Sequence, residues 1–406
     1  MCCEVAVIER GETEPAVTEL AATDSRFRAA VWTLAALVLI GAFVNELVAG
    51  TQRYQLDFFV YRSSIQSWLS GQGLYSFSIT VFDGQFPFTY PPFAALALAW
   101  VGLVPIHWGQ AIWLTVQLGV ALGLVWLVVR RVLPGRVPAS WLGDAVILIA
   151  WMVAILNAPI AQSLMLGQVS LVMVALVVVD FVVVPAKFRG ILTGITAAVK
   201  LLPLIFLPYF LVTRQWRAAA NTAGGFAAAT GLAFLVLPQE SLLFWTQMIF
   251  QTGRVGEVSS LRNKSLLALL SQWGLNSTWL WLGLAAAFTA FGLWRAAQHH
   301  RRGEEFAAMV VVGLLSGLVA PLTWLHHLVW LTLAMIYLAL VGRRWMLAAA
   351  AIWVAFCFFS PVVASLASGP IWLMILQSAT TLTLAAFVLT GLPRPTPVAG
   401  VGRGDG

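Results

Sequence analysis

The sequence predicts an all-α polytopic membrane protein. Of its 406 residues, 60% are hydrophobic and only 10% are charged, and the mean hydropathy is +0.89. Apolar stretches of about 20 residues, the length that crosses a bilayer as a helix, recur along the chain. Helices satisfy their own backbone hydrogen bonds in lipid, so they are the element that such stretches favour.

Twelve segments are candidates for membrane helices, and we expect roughly 10 to 13 spans. The candidates are 29–49, 91–105, 108–129, 144–160, 169–185, 190–213, 218–237, 276–297, 305–322, 326–342, 345–362 and 371–391. They form one predicted domain over 29–391, with long external loops at about 50–90 and 238–275. Residues 1–28 and 392–406 are polar enough to be predicted as disordered cytoplasmic tails.

The formal net charge of +7 has an ordinary explanation in a membrane protein, because cytoplasmic loops are enriched in Lys and Arg. We therefore expect the lipid bilayer as a partner and no nucleic acid. Arginines follow the segments that end near 213, 297 and 342, and they place those loops in the cytoplasm. The loops with Asp57, Arg254 and His326 then share the external side of the plasma membrane.

The segments between 91 and 213 leave two topologies open. Five full spans would put Arg130 and Arg189 outside, against the positive-inside trend. The conflict disappears if 91–105 and 190–213 are re-entrant or broken, and Pro203 favours a break in the latter.

Asp57 is a lone carboxylate in the stretch LDFFVYRSS, at an external membrane edge, with Tyr61 one helical turn further on. An acidic residue is expensive near a membrane and frequently functional there. The alternative is a charge at the N-terminus of a short interfacial helix, where the helix dipole favours it.

Two further motifs have both structural and functional interpretations. The run FTYPPF at 88–93 places Tyr90 at headgroup depth before a proline helix start. Gln168 follows Gly167 between two apolar runs, where a glutamine either satisfies a helix end or contacts a ligand.

Lys200 is a single cation with ten uncharged residues before it and thirteen after it. Such a cation needs an anionic partner or an aqueous cavity. Snorkelling to the interface is the alternative.

The second external loop contains the basic stretch GRVGEVSSLRNKS, with Arg254, Arg262 and Asn263. Arginine and lysine clusters commonly bind phosphate oxygens. A solvated basic loop is the alternative.

The stretch TWLHHLVW places His326 and His327 after Trp324 at the external end of a helix. Adjacent histidines point in different directions, and no Asp, Glu or Cys lies near them in sequence. The pattern is therefore a poor metal site and fits hydrogen bonding to a sugar or phosphate better.

Taken in order, these motifs resemble glycosyltransferase family 87 of the GT-C superfamily, within it the mycobacterial polyprenol-phosphate-mannose-dependent α-(1→2)-mannosyltransferases. The resemblance spans about residues 54–345. It rests on these residues: D-x-x-V-Y at Asp57, F-T-Y-P-P-F at 88–93, Gly167-Gln168, A-x-K-L-x-P at Lys200, N-x-S at Asn263, and the histidine pair. Ser170, Leu202 and Leu325 depart from the family's usual Asn, Thr and Ser or Thr.

The resemblance implies a GT-C fold with an external active site. It also implies inverting transfer of mannose from a polyprenyl-phosphate-mannose donor, with formation of an α-(1→2) linkage. The implied acceptor is a glycolipid of the phosphatidylinositol mannoside or lipomannan type. Asp57 matches the catalytic base. The implied donor-phosphate ligands are Lys200, Arg254, Arg262, His326 and His327. The implied substrate contacts are Tyr61, Tyr90, Gln168, Asn263 and Trp324.

A lipid-phosphate leaving group departs as an anion, so this chemistry requires no cofactor and no divalent metal. The alternatives are a transporter or flippase of a lipid-linked sugar, or a GT-C transferase of another sugar such as arabinose. A transporter is expected to show related halves, and Asp57 has no counterpart in the second half of the chain.

Overall fold

Helices form almost every element of the computed structural model, which describes residues 14–49, 55–81, 84–354 and 371–395. In the first half they are α1 Glu14–Ala49, α2 Leu56–Leu69, α3 Pro92–Ala97, α4 Ala99–Leu103, α5 Ile106–Leu127, α6 Trp141–Ile155, α7 Ala158–Leu166, α8 Ser170–Val182 and α9 Ile191–Val199. A short antiparallel hairpin of β1 Ser78–Val81 and β2 Gly84–Pro87 lies in the first long loop, with Ser78 opposite Pro87.

The second half continues the helical pattern. Its helices are α10 Phe206–Val212, α11 Trp216–Val236, α12 Pro238–Thr246, α13 Leu266–Gln272, α14 Thr278–Arg301, α15 Glu305–Val319, α16 Val329–Val341, α17 Arg343–Val354 and α18 Ile371–Thr390. The predicted segment 345–362 coincides with α17 up to Val354, and its remainder lies outside the described residues.

Among the described residues, four helices are long and apolar enough to cross a membrane: Thr23–Val48 within α1, Ile106–Val132, α11 and α14. The pair α6 and α7 forms a fifth candidate that bends by 69°. Shorter apolar helices include α8, α15 and α16. The all-α membrane fold class is confirmed, while the number of 10 to 13 crossings stays a prediction.

The segment 190–213 turns back on itself, with Lys200 at its turn. Its start is held by Asn221 of α11, which donates from Nδ2 to the carbonyl oxygen of Arg189 over 2.8 Å. The helix α9 ends at Lys200, which has an extended backbone, and α10 returns toward the start of α11. Both ends of the segment therefore lie at one end of the bundle, as the re-entrant alternative requires.

The segment 91–105 is also broken, because α3 has six residues and α4 has five. The next helix, α5, continues into a π-helical turn over Val128–Val132, which contains Arg130. There Arg28 and Arg130 both contact Asp144, over 2.9 and 2.6 Å. The loops rich in arginine thus gather at one end of the bundle, which we name the basic end.

The centre of the fold is α15, whose residues from Phe306 to Leu318 are all buried. A helix that is apolar all round is stable in such a position, because every face has a protein neighbour. Its end at Val319 leads into the loop that contains the histidine pair, so the rigid core fixes the position of that loop.

The two predicted tails need correction. Residues 14–28 are helical as part of α1, and Asp24 accepts a hydrogen bond from the backbone of Trp141 over 2.9 Å. At the other terminus, Arg394 forms an ion pair with Glu304 over 2.8 Å. Both segments are polar, but Asp24, Arg28 and Arg394 have partners on the bundle. Residues 1–13 and 396–406 lie outside the described residues, and their predicted disorder stays a prediction.

Candidate active site

The helix α2 places Asp57 in its first turn, at the end of the bundle opposite the basic end. The Asp57 side chain is only partly exposed. Gln168 donates from Nε2 to Oδ2 of Asp57 over 2.8 Å. The helix-start interpretation and the functional interpretation are both compatible with this position, so the surroundings must distinguish them.

Gly167 determines how Gln168 reaches Asp57. It ends α7 in the left-handed conformation with φ +67. A Cβ at this position would lie 2.7 Å from Cβ of Phe58 and 2.8 Å from Oε1 of Gln55. Only glycine combines this backbone conformation with so close an approach to α2.

The amide of Gln168 is held in one orientation. Its Oε1 accepts hydrogen bonds from the hydroxyl of Tyr61 over 3.1 Å and from the hydroxyl of Tyr90 over 3.0 Å. The two hydroxyls also contact each other over 3.0 Å. Because Oε1 of Gln168 faces two hydroxyl donors, its Nε2 group must face Asp57. Nε2 donates, so the oxygen of Asp57 that it contacts must be an acceptor.

Lys200 joins this network through Ser170. Its Nζ donates to Oγ of Ser170 over 3.0 Å and lies 5.2 Å from the centre of the Tyr90 ring. Ser170 in turn lies 3.4 Å from Oε1 of Gln168. The structure therefore brings together four elements that are distant in sequence, with a carboxylate and an ammonium group at the two ends of one hydrogen-bonded chain.

A cavity of about 30 Å³, which we name the Lys200 cavity, opens beside the ammonium group of Lys200. Ser170, Lys200 and His327 contribute its polar atoms together with Ser316, and Met173, Phe206 and Trp330 are among its apolar walls. A cavity of this size has room for one or two water molecules, and the cation on its wall would attract an anionic oxygen that reached it.

Gln162 on α7 fixes the tautomer of His326. The Oε1 atom of Gln162 accepts from the backbone N–H of His326 over 3.0 Å and lies 3.2 Å from Nδ1 of the same residue. The Nδ1 atom must therefore carry a proton, which leaves Nε2 with a lone pair. This Nε2 is buried and has no partner among the described residues.

His327 has the opposite tautomer. The backbone N–H of Trp324 donates to its Nδ1 over 3.3 Å, so Nε2 carries the proton and can donate. The two rings lie 4.5 Å apart and nearly perpendicular. One neutral histidine therefore presents an acceptor, and the other presents a donor on the wall of the Lys200 cavity.

Burial raises the pKa of the Asp57 carboxyl to about 6, while the hydrogen bond from Gln168 and the positive charge of Lys200 act to lower it. Asp57 lies outside the candidate membrane spans. A pKa in this range suits a general base, because the group is ionised at neutral pH and still accepts a proton readily.

Residues 88–321 match the sequence model of Glycosyltransferase family 87. The chain belongs to this family. It is also 30% identical to the polyprenol-phosphate-mannose-dependent alpha-(1-2)-phosphatidylinositol mannoside mannosyltransferase of Mycobacterium tuberculosis, over 77% of this chain and 76% of that protein. The protein of the same name in Mycolicibacterium smegmatis is 29% identical, over 80% of each chain.

A further relative is a polyprenol-phosphate-mannose-dependent alpha-(1-2)-phosphatidylinositol pentamannoside mannosyltransferase of Mycobacterium tuberculosis, 31% identical over 63% of this chain and 59% of that protein. No solved structure matches the chain. The chain belongs to a family of glycosyltransferases and has several apolar helices long enough to cross a membrane. It is therefore a multi-pass membrane glycosyltransferase.

Three residues predicted to bind substrate lie away from the Lys200 cavity in this family 87 glycosyltransferase. Arg254 lines a second cavity, and Arg262 is exposed on the surface of its loop. Trp324 packs against Gly256, where an added Cβ would meet its ring at 2.5 Å. The sequence placed them near the phosphate because they share the external side, which does not fix side-chain direction.

Asn263 is a brace between two loops of the glycosyltransferase. Its Nδ2 donates to the carbonyl oxygens of Val258 and Pro321, both over 3.1 Å. Its Oδ1 accepts from the backbone N–H groups of Ser265 and Thr323 over 3.1 and 2.9 Å. Both donors and both acceptor sites of this amide are thus occupied by protein groups, and the substrate contact of Asn263 stays a prediction.

Several polar groups near the site, Ser170 among them, were not among the predicted residues. Gln162 orients His326. In the sequence it is marked only by its position five residues before Gly167 of the Gly-Gln motif. Glu46, which is 2% exposed at the end of α1, accepts from Nε2 of Gln55 over 2.9 Å. Within the described part of the chain, no group of three or more His, Cys, Asp and Glu side chains is placed to hold a metal ion.

Proposed function

We propose that this glycosyltransferase moves a mannosyl residue from polyprenol-phosphate-mannose to a mannosylated phosphatidylinositol lipid. The product has an α-(1→2) bond, and transfer inverts the anomeric carbon. The names of the mycobacterial relatives support the donor and acceptor classes. They also favour a transferase over the alternative of a transporter.

One observation carries the mechanistic part of the proposal: Asp57 and Lys200 lie at the two ends of the chain formed by Gln168 and Ser170. Asp57 is the base that takes the proton from the attacking hydroxyl of the acceptor. The new bond joins that oxygen to C1 of the mannosyl group, and the bond from C1 to the phosphate oxygen breaks.

The leaving group is the polyprenyl phosphate anion. Lys200 is placed to stabilise its charge, and the Nε2–H group of His327 supplies a neutral donor on the same cavity wall. Preorganised donors of this kind act where negative charge develops in the transition state. Because a lipid phosphate needs no proton to depart, one base is sufficient, as inverting transfer requires.

The side of the membrane on which the site lies is inferred from the distribution of arginines. The arginines of the basic end are expected in the cytoplasm, which puts Asp57 and Lys200 on the external side of the plasma membrane. The donor then presents its sugar to the site from the external leaflet.

The proposal is tested with the purified full-length protein in lipid nanodiscs, supplied with polyprenyl-phosphate-mannose and a phosphatidylinositol mannoside acceptor. We expect a product heavier by one mannosyl residue, in which NMR shows an α-(1→2) linkage. A transporter would leave both lipids chemically unchanged. If the enzyme prefers a polyprenyl-phosphate-arabinose donor to the mannose donor, the transferred sugar is arabinose and not mannose.

A further inference from the structure

A second cavity, with a volume of about 330 Å³, lies between the two long loops. Volumes from about 300 Å³ are typical of small-ligand sites. Its walls come from Gln72, Gly73, Tyr75 and Ser76 in the first loop, and from Glu240, Leu243, Met248, Gln251 and Arg254 in the second. None of these residues lines the Lys200 cavity.

The carboxylate of Glu240 is fixed in this cavity by the backbone. Its Oε1 accepts from the N–H of Leu74 over 2.9 Å. Gly73 has φ +93, and a Cβ there would lie 3.2 Å from the same oxygen. Glycine therefore allows the loop to close around the carboxylate, and the side chain is held in place before any ligand arrives.

The guanidinium of Arg254 lies against two neighbouring side chains of this cavity. It lies 5.8 Å from the centre of the Tyr75 ring and contacts Sδ of Met248. The Tyr75 ring stacks on Phe244, with ring centres 6.0 Å apart. A planar guanidinium on an aromatic face loses little freedom when it binds a ligand.

Tyr75 connects this cavity with the candidate active site. Its hydroxyl donates to the backbone oxygen of Tyr90 over 2.8 Å. The side chain of Tyr90 is part of the network around Gln168 and Asp57. The second cavity and the network around Asp57 are therefore joined through Tyr75 and Tyr90.

The chemistry of the walls indicates a neutral, polyhydroxylated ligand. One carboxylate and one guanidinium give the cavity no net charge, so it lacks the positive excess that binds a phosphate. A fixed carboxylate accepts from hydroxyl groups, whereas the guanidinium and the amides of Gln72 and Gln251 donate to hydroxyl and ring oxygens. The exposed Gln72, Ser76 and Gln251 add adaptable polar contacts at the rim.

We propose that this second cavity binds a mannosyl ring of the acceptor glycolipid and so places the acceptor hydroxyl toward Asp57. This inference rests on the proposed transferase function. It also separates the two substrates, because the donor phosphate belongs to the Lys200 cavity and the acceptor sugar to the cavity of Glu240 and Arg254.

Binding is measured without turnover, by saturation-transfer NMR of methyl α-mannoside with full-length Asp57→Asn protein in nanodiscs. Adding Glu240→Gln or Arg254→Gln is expected to weaken binding at least about tenfold, since each removes a charged hydrogen-bond partner. The matched control is Glu257→Gln, an exposed carboxylate in the same loop, which is expected to leave binding unchanged. Arg254→Gln decides the question if Glu240→Gln does not fold.

The kinetic counterpart uses the otherwise wild-type enzyme with a phosphatidylinositol mannoside acceptor. The KM of the acceptor is expected to rise about tenfold in Glu240→Gln, with the KM of the donor unchanged. Equal mannoside binding in all variants, or tighter binding of inorganic phosphate than of mannoside, would overturn the inference. A third outcome separates the two proposals. If mannoside binding depends on Glu240 but the wild-type protein transfers no mannose, the transferase function is refuted and the sugar-binding site is supported.

Discussion

Asp144 and Asp57 occupy equivalent places in two helices and have opposite surroundings. Each lies in the first turn of its helix. Asp144, at the basic end, is 2% exposed and contacts Arg28, Arg130 and the indole nitrogen of Trp32. Asp57, at the other end, is held by the neutral amide of Gln168, and Lys200 is linked to it only through intermediates.

The two carboxylates have different chemical properties because their hydrogen-bond partners differ in charge. A carboxylate that two guanidinium groups neutralise has little tendency to take a proton. A carboxylate that is desolvated and held by an amide keeps its basicity. The same contrast applies to cations, since Arg130 is paired with a carboxylate and Lys200 faces a cavity.

The largest effect is expected for Asp57→Asn. Asparagine keeps the shape and one acceptor oxygen, but it takes no proton at neutral pH. Turnover should fall by about 10²- to 10⁴-fold, the usual contribution of a general base, while donor binding persists. Single-turnover transfer of labelled mannose measures this. Asparagine caps a helix about as well as aspartate, so a folded variant with near wild-type turnover would support the purely structural role.

Lys200→Ala is expected to reduce transfer by about 10²-fold, similar to the loss of one donor from an oxyanion-binding site. The matched control is Lys187→Ala, which removes an exposed lysine and should leave the rate unchanged. Steady-state kinetics with varied donor distinguish the two. If Lys200→Ala keeps the wild-type KM for the donor and the wild-type turnover, the phosphate role assigned to this lysine is wrong.

Gln162→Met should lower turnover about tenfold, because His326 loses the hydrogen-bond acceptor that selects its tautomer. Gln162→Glu keeps an oxygen for Nδ1–H and should lose less. The ratio of the two rates, measured at equal amounts of folded protein, is the informative quantity. Identical rates would show that the tautomer of His326 has no influence on transfer.

Asp144→Asn is expected to have the smallest effect on turnover and a clear effect on stability. It removes the charge that holds Arg28 and Arg130, which should lower the free energy of unfolding by roughly 1–3 kcal/mol. Thermal unfolding followed by intrinsic tryptophan fluorescence reports the loss. A large fall in turnover per folded molecule would mean that the two ends of the bundle are not functionally separate.

Much of this contrast is predictable from the sequence. Asp57, Gln168 and Lys200 are conspicuous because a polar residue among apolar neighbours needs a reason. Their order also resembles the family pattern. A re-entrant course of 190–213 is one of the two topologies that the sequence leaves open, and Pro203 and the flanking basic residues favour it.

Other features depend on long-range packing that the sequence does not encode locally. Asn263 and Arg254 lie in one polar loop, but the structure turns the first into a brace and the second toward Glu240. Gln162 acquires its role only because α7 bends back toward the histidine loop. Helicity of residues 14–28 depends on partners in α6 more than 110 positions away.

If Asp57 acts as an ionised base with a pKa near 6, the rate of transfer must depend on pH in a defined way. Since burial raises this pKa, the active, deprotonated form is present at pH 7 and is lost as the pH falls through about 6. The kcat/KM reports the ionisation of the free enzyme, so it should be half-maximal near pH 6 and then fall about tenfold per pH unit, and the residual kcat/KM of Asp57→Asn should lack this acidic limb. A kcat/KM that stays constant from pH 7 to pH 5 in the wild-type enzyme would contradict this role of Asp57.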